Sequence, residues 1–315
     1  MNCTKEQVTF LEAIEKKQNI MISIVACERW IENRAHFCND AELLIEISAI
    51  AERKRGMVEK IAGLARRAGE SIMDVYSRPF SVEYKDDSSP LTEADKASHM
   101  VIEAGLRQIA PEVPVISEEG EEVPFSIRKG FRSFWLVDPL DGTKEFIKRN
   151  GEFTVNIALI ENTVPVLGVI YAPAKGLMYF AERGKGAWRE EAGSSIRIHS
   201  AELRPYAAIR AVVSRSHPSP AIEEYLSGFK VASSLEAGSS LKFCLVAEGA
   251  ADIYPRFGET WEWDTAAGHA IAAEAGASVT LPDLSPLTYN KEGLKNPGFI
   301  VASRGLALKP YIFSR

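Results

Sequence analysis

No stretch of the 315 residues approaches about 18 consecutive apolar side chains, so a membrane-spanning helix is not expected. The N-terminus lacks a basic segment leading into an apolar one, which excludes a secretory signal of the usual kind. Cysteine is scarce: Cys3, Cys27, Cys38 and Cys244, with no Cys-x-x-Cys pair. That argues against a disulfide framework, and the four thiols read as reduced side chains of a cytoplasmic protein. Peripheral association with the cytoplasmic face of an inner membrane is left open. An excess of positive charge is also missing, since 37 Lys and Arg stand against 43 Asp and Glu, for a net charge of -6. This disfavours a nucleic-acid polymer as partner. A small anionic substrate remains open, because bound cations can invert the local charge. Nothing ties His217 into a serine-histidine-aspartate arrangement.

Residues 1–55 lack glycine and proline altogether and hold three of the cysteines. Val8, Leu11, Ile14, Leu43, Leu44, Ile47 and Ile50 fall at roughly helical spacing, which predicts an N-terminal helical extension. Met57 then opens an amphipathic helix to about Tyr76, through Val58, Ile61, Leu64, Ala68 and Ile72. After a polar loop over 85–90, Thr92 caps a second helix that stops before Pro111, with Asp95 at its third position. Short strands are expected at 113–117 and 134–137, the latter broken by Pro139. Strands at 155–160, 166–171 and 177–181 follow. Beyond the Gly184, Gly186 and Gly193 cluster, strands at 208–214, 230–233, 251–254 and 299–302 alternate with helices at 219–226, 239–249 and 264–275. The order suggests a layered α/β sandwich in two halves, 57–190 and 191–315.

The densest chemical signal is Asp138-Pro139-Leu140-Asp141-Gly142-Thr143 at the end of an apolar strand. Two carboxylates this close repel each other unless a cation lies between them, and Mg2+ suits such hard oxygens. A solvated turn is the plainer alternative. Glu118-Glu119 also follows an apolar strand, although acidic loops are usually just solvated. Asp264 opens a helix of small residues, where N-cap chemistry alone would explain it. Asp95 reads as a first-turn acid favoured by the helix dipole. Gly238-Ser239-Ser240 is a turn at a helix start suited to an anion, with Lys242 and Arg256 as cations for a second phosphate.

Together and in this order, these segments resemble the inositol monophosphatase superfamily. An acidic pair after a strand, a D-P-L-D-G-T block and the Trp263–Gly268 W-D-T-A-A-G block carry the likeness, which spans about 57–304. The resemblance implies an αβαβα sandwich of the inositol monophosphatase and fructose-1,6-bisphosphatase type. It implies Glu118, Asp138, Asp141, Asp264 and the Leu140 carbonyl as Mg2+ ligands. Asp95 and Thr143, with Glu118, would act on the attacking water. Gly142 and Thr143 would receive the phosphate, with Glu118, Leu140, Asp141 and Asp264 around it. Ser239, Lys242 and Arg256 would contact a nucleotide. The stretches Gly238–Gly249 and Tyr254–Gly258 resemble the branch that acts on nucleotide bisphosphates. That implies hydrolysis of the 3'-phosphate of adenosine 3',5'-bisphosphate, with the 2',5' isomer and 3'-phosphoadenylyl sulfate as further substrates. Lithium sensitivity and a place in sulfur assimilation are implied in the same way. An inositol monophosphatase is the alternative. One departure is Glu262 before Trp263, where an isoleucine is expected.

Overall fold

The computed structural model describes residues 56–84, 90–204, 206–216 and 219–312. What the sequence suggests for residues 1–55, for most of the loop at 85–90 and for His217 lies outside the described residues. The chain divides into two compact units, Met1–Lys60 and Ile61–Arg315. Of the first, only 56–60 is described, as the opening turn of helix α1 (Met57–Tyr76).

Along α1, Ile61, Leu64, Ala65, Ala68 and Ile72 are fully buried at helical spacing, as the pattern requires. Strands β1 (Val82–Tyr84) and β2 (Pro90–Thr92) pair antiparallel and lead into α2 (Glu93–Ile109). Thr92 and Asp95 form the expected capping box. A large sheet of seven strands follows: β3 (Val115–Ser117), β4 (Ser133–Asp141), β5 (Thr154–Glu161), β6 (Val164–Ala172), β7 (Leu177–Glu182), β8 (Gly186–Glu191) and β9 (Ser194–Ile198), in that spatial order. Only the β3–β4 pairing in it is parallel. Two short helices, α3 (Phe125–Arg128) and α4 (Thr143–Ile147), flank β4.

Then come β10 (Ile209–Ser214), α5 (Pro220–Ser227), β11 (Val231–Ala237), α6 (Leu241–Ala247), β12 (Ile253–Arg256), β13 (Thr260–Trp261), α7 (Glu262–Glu274), β14 (Ser278–Thr280), β15 (Lys295–Asn296) and β16 (Phe299–Ala302). A five-stranded sheet runs β11-β10-β12-β16-β14, while β13 pairs with β15 alone. Helices α6 and α7 lie between the two sheets, with Phe134, Leu136, Ile170, Phe243, Ala267, Ile271, Phe299 and Val301 in one core. On the far side of the smaller sheet, Ile222 and Tyr225 of α5 pack with Ile209, Ile253 and Ile300. Helices α1 and α2 pack together, Leu64 against the Gly105 backbone, and α2 lies along β3 and β4. The result is the expected αβαβα layering.

Close approach sets the middle layer. A Cβ on Gly168 of β6 would come 2.4 Å from the Ala267 carbonyl of α7, and one on Gly268 would come 2.4 Å from the Phe243 ring. The small-residue run that the sequence shows is therefore a packing surface.

The structure corrects three expectations. Pro139 does not end its strand, because the ladder to β5 shifts register between Asp138 and Asp141 and lifts the proline out of the pairing. The Pro139 carbonyl instead accepts the Ser98 hydroxyl at 2.7 Å. The glycines at 184, 186 and 193 sit at hairpin corners, and the large sheet continues through β8 and β9 to Ile198, past position 190. Helix α7 begins at Glu262, so Asp264 is its third residue and Trp261 its N-cap. Among the described residues, no helix is long and apolar enough to cross a membrane.

Candidate active site

The bulge at the end of β4 turns both aspartates toward one place. Asp138 is buried, and its Oδ1 accepts the Leu140 N–H at 3.0 Å. Asp141 Oδ2 accepts the Ser239 hydroxyl at 2.6 Å and the Ser240 hydroxyl at 2.7 Å. Gly142 then takes φ +89° and starts α4, and a Cβ there would meet the Glu152 carbonyl at 3.1 Å. This left-handed, crowded turn suits only glycine. Thr143 follows, its hydroxyl 3.4 Å from Asp95 Oδ1 and 3.4 Å from the Leu140 carbonyl. The other Asp95 oxygen accepts the Thr92 N–H at 2.7 Å and hydroxyl at 2.6 Å, so the capping box aims Oδ1 at Thr143. Glu118 follows β3, tied by its N–H to the Val137 carbonyl at 3.1 Å. From the middle layer, Asp264 Oδ2 accepts the Trp261 N–H at 2.9 Å. The Ser240 hydroxyl also reaches the Asp264 carbonyl at 2.8 Å, bridging the two halves of the site.

The cluster carries charge that the protein alone does not neutralise. Burial, and then repulsion from Glu118, Asp141 and Asp264, pushes the Asp138 carboxyl well above the usual range. Burial does the same to Asp264, with Asp141 and Glu118 adding repulsion. Asp95 is pushed up to about 6, chiefly by burial. Among the described residues no three His, Cys, Asp or Glu side chains already close into a metal-holding group. The donor set nonetheless fits a hard cation. Hydrogen bonds with described residues engage Oδ1 of Asp138 and Oδ2 of Asp141 and Asp264, which leaves each a second oxygen for coordination. The residues that could hold Mg2+ are Glu118, Asp138, Asp141, Asp264 and the Leu140 carbonyl.

Glu118, Asp141, Thr143 and Asp264 line a cavity of about 430 Å3 that Ser239, Lys242 and Arg256 also line. Gly142 lines it too, whereas Asp95, Asp138 and Leu140 are buried and do not line it. Lys242 is not a surface cation. It is buried, its ammonium donates to the carbonyls of Ala237 and Ser239, and burial holds it down to about 8. The Arg256 guanidinium lies 3.5 Å from the Glu259 carbonyl, and its buried Nε has no partner among the described residues. Ser239 takes φ +53° and its hydroxyl also meets that of Thr154 at 2.6 Å.

For several site residues the sequence shows neither their place nor their role. Ser240 and Asn156 brace Asp141, Asn156 Nδ2 reaching Ser240 Oγ at 2.8 Å. Buried Glu145 accepts the Ser216 hydroxyl, and Trp261 and Lys295 line the cavity. Glu145 and Asn156 are visible in sequence as polar residues beside apolar runs. Lys295 has no sequence signal, since only the β13–β15 pairing brings it here.

Residues 55–308 match the inositol monophosphatase family. The chain is 52% identical over 249 residues to the 3'(2'),5'-bisphosphate nucleotidase CysQ of Escherichia coli K12, covering 78% of this chain and 99% of that one. It is 53% identical over 255 residues to the nucleotidase of the same name from Buchnera aphidicola, covering 79% and 94%. The crystal structure of CysQ from Bacteroides thetaiotaomicron matches with a TM-score of 0.68 and 46% identity, over 78% of this chain and 97% of that one. The inositol monophosphatase of Anabaena matches with a TM-score of 0.63 and 25% identity, over 78% and 90%.

Proposed function

This chain belongs to the inositol monophosphatase family, and on that premise we propose that it is a phosphomonoesterase that removes the 3'-phosphate of adenosine 3',5'-bisphosphate, giving AMP and phosphate. 3'-Phosphoadenylyl sulfate carries the same 3'-ester and the 2',5' isomer carries its monoester on the neighbouring hydroxyl, and both are proposed as further substrates. The observation that carries the reading is the 52% identity across nearly the whole length of an enzyme named for bisphosphate nucleotides. The pocket supports it, since it joins an acidic cluster to cationic residues in one cavity.

Mg2+ held by Glu118, Asp138, Asp141, Asp264 and the Leu140 carbonyl would screen the phosphate dianion, acidify water and stabilise the leaving alkoxide. The chain's own groups do the rest. Asp95 accepts the Thr143 hydroxyl proton, which turns the Thr143 lone pairs toward an incoming water and fixes its line of approach. The backbone N–H groups of Gly142 and Thr143, at the head of α4, meet the phosphate oxygens. Arg256 contributes charge toward the phosphate that is not cleaved, and binding energy from that remote group orients the reacting one. Lys242 holds the Ser239 carbonyl with one N–H and the Ala237 carbonyl with another, which leaves a third for substrate.

Phosphate release from adenosine 3',5'-bisphosphate, its 2',5' isomer, AMP and inositol 1-phosphate, with and without Mg2+, tests the reading. The expected result is Mg2+-dependent release, fastest from the bisphosphates. Preference for inositol 1-phosphate would overturn it.

A further inference from the structure

A further basic group stands at the cavity, and its placement is unusual. Lys295 of β15 lies directly across from Trp261 of β13. Its ammonium sits 5.0 Å from the centre of the Trp261 ring, and that ring stacks on Trp263 at 5.0 Å and 10°. The backbone beneath it is fixed. Asn296 is wholly buried and donates to the Trp261 carbonyl at 3.1 Å, Thr265 Oγ1 at 3.0 Å and Thr260 Oγ1 at 3.2 Å. The head of Lys295 is held far more lightly. Among the described residues its ion pair is to Glu259 at 3.3 Å, with side-chain exposures of 47% and 72%. Exposed pairs of this kind are weak and yield readily to a stronger anion. Trp261 and Lys295 both line the cavity whose acidic end includes Asp264, and Trp261 is bonded to Asp264 through its backbone.

We infer that Lys295, presented on the Trp261–Trp263 stack, is a specificity-determining cation that binds the phosphate of the substrate that is not cleaved. It rests on the bisphosphate reading above. Lys242 is buried with two of its three N–H groups already engaged, whereas Lys295 exchanges a solvated carboxylate for a phosphate dianion. The stack confines its side chain to the cavity rim, so less freedom is lost on binding than for an unconfined lysine. Arg256 stands on the other side of Glu259, its guanidinium 3.5 Å from that residue's carbonyl. Glu259 thus neighbours both cations, through its carboxylate at Lys295 and its backbone carbonyl at Arg256, and a remote phosphate would displace the carboxylate from Lys295.

The test measures kcat and KM for adenosine 3',5'-bisphosphate and for adenosine 3'-monophosphate in the wild type, Lys295→Met and Lys295→Arg. Lys295→Met should raise KM for the bisphosphate about three- to tenfold, the discounted worth of a half-exposed charged contact, with kcat little changed. KM for the monophosphate should stay the same, and Lys295→Arg should restore most of the bisphosphate KM. Equal changes on the two substrates, or none on either, would overturn the role of Lys295 alone. A wild type with no preference for the bisphosphate would overturn the underlying reading as well.

Discussion

At Asp141, one oxygen is taken up by the hydroxyls of Ser239 and Ser240, while the charge of the carboxylate faces Asp138, Glu118 and Asp264. Asp141→Asn keeps the size and the hydroxyl contacts but removes a charge that a cation needs. Under the proposed function the variant should remain folded and keep less than about a tenth of wild-type kcat, a loss of some 1.4 kcal/mol or more. Phosphate release together with a circular dichroism spectrum checks both halves, and a folded variant with more activity would remove Asp141 from the metal set. Lys242, read from the sequence as a cation for a second phosphate, is buried. Lys242→Met would take the Lys242 donor from the Ser239 carbonyl and leave the Ala237 carbonyl with the Arg215 N–H at 3.3 Å, at about 1–3 kcal/mol of stability. Because the same turn holds Ser239 against Asp141, turnover of the bisphosphate and of a monophosphate should fall together. Urea titration and kcat/KM on both substrates decide this, and a loss confined to the bisphosphate would return Lys242 to the remote phosphate. The acids were legible in sequence because strand ends and turn residues mark them. The burial of Lys242 was not, since it depends on Tyr254 and the Ser239 turn closing over it from separate elements.

At the scale of elements, α7 was readable from its run of small residues, but their purpose was not. A sequence shows that Ala266, Ala267 and Gly268 can approach a neighbour closely, not which neighbour. Gly168→Ala tests the fit between α7 and β6. The added methyl would lie 2.4 Å from the Ala267 carbonyl, so helix and sheet must part, and a loss of about 1–3 kcal/mol in urea unfolding is expected. An unchanged midpoint would mean that the layer yields freely. Helix α7 also holds His269, whose Nδ1 meets the Tyr289 hydroxyl at 3.1 Å and which burial holds down to about 4. Its unfolded value of about 6.5 is higher, so the unfolded chain binds the proton first as pH falls. His269 therefore contributes stability that is present above about pH 6.5 and is lost on acidification toward 4. Between pH 7 and pH 5 the loss amounts to as much as about 2 kcal/mol. The carboxylates raised in the acidic cluster act in the opposite direction. The informative quantity is thus the difference between wild type and His269→Asn, and it should shrink as pH falls. A constant difference would show that His269 titrates normally. Pro139 carries the complementary lesson. Local rules read it as a strand breaker, and only the pairing with β5 reveals the bulge that accommodates it.

At the scale of the molecule, the five layers follow from which elements are amphipathic, whereas the order β11-β10-β12-β16-β14 depends on pairings between distant segments. Local pattern fixes the first and leaves the second to the global packing. What precedes Met57 is a separate question. The family match begins at residue 55, and relatives covered over 99% of their own length account for 78% of this chain. The buried stripe of α1 from Ile61 onward, both sheets and every proposed site residue belong to the unit Ile61–Arg315. No part of the proposed chemistry draws on residues 1–55. A protein that starts at Met57 should therefore fold and keep kcat/KM for adenosine 3',5'-bisphosphate within about twofold, less than about 0.5 kcal/mol of barrier. Side-by-side kinetics of the full and shortened chains, with thermal unfolding as the control for folding, gives the comparison. If the shortened chain is soluble, cooperative in unfolding and yet inactive, the extension must supply a group to the cavity or order one of its walls. Asp141, Thr143 and Asp264 would then not suffice as the reacting end of the site.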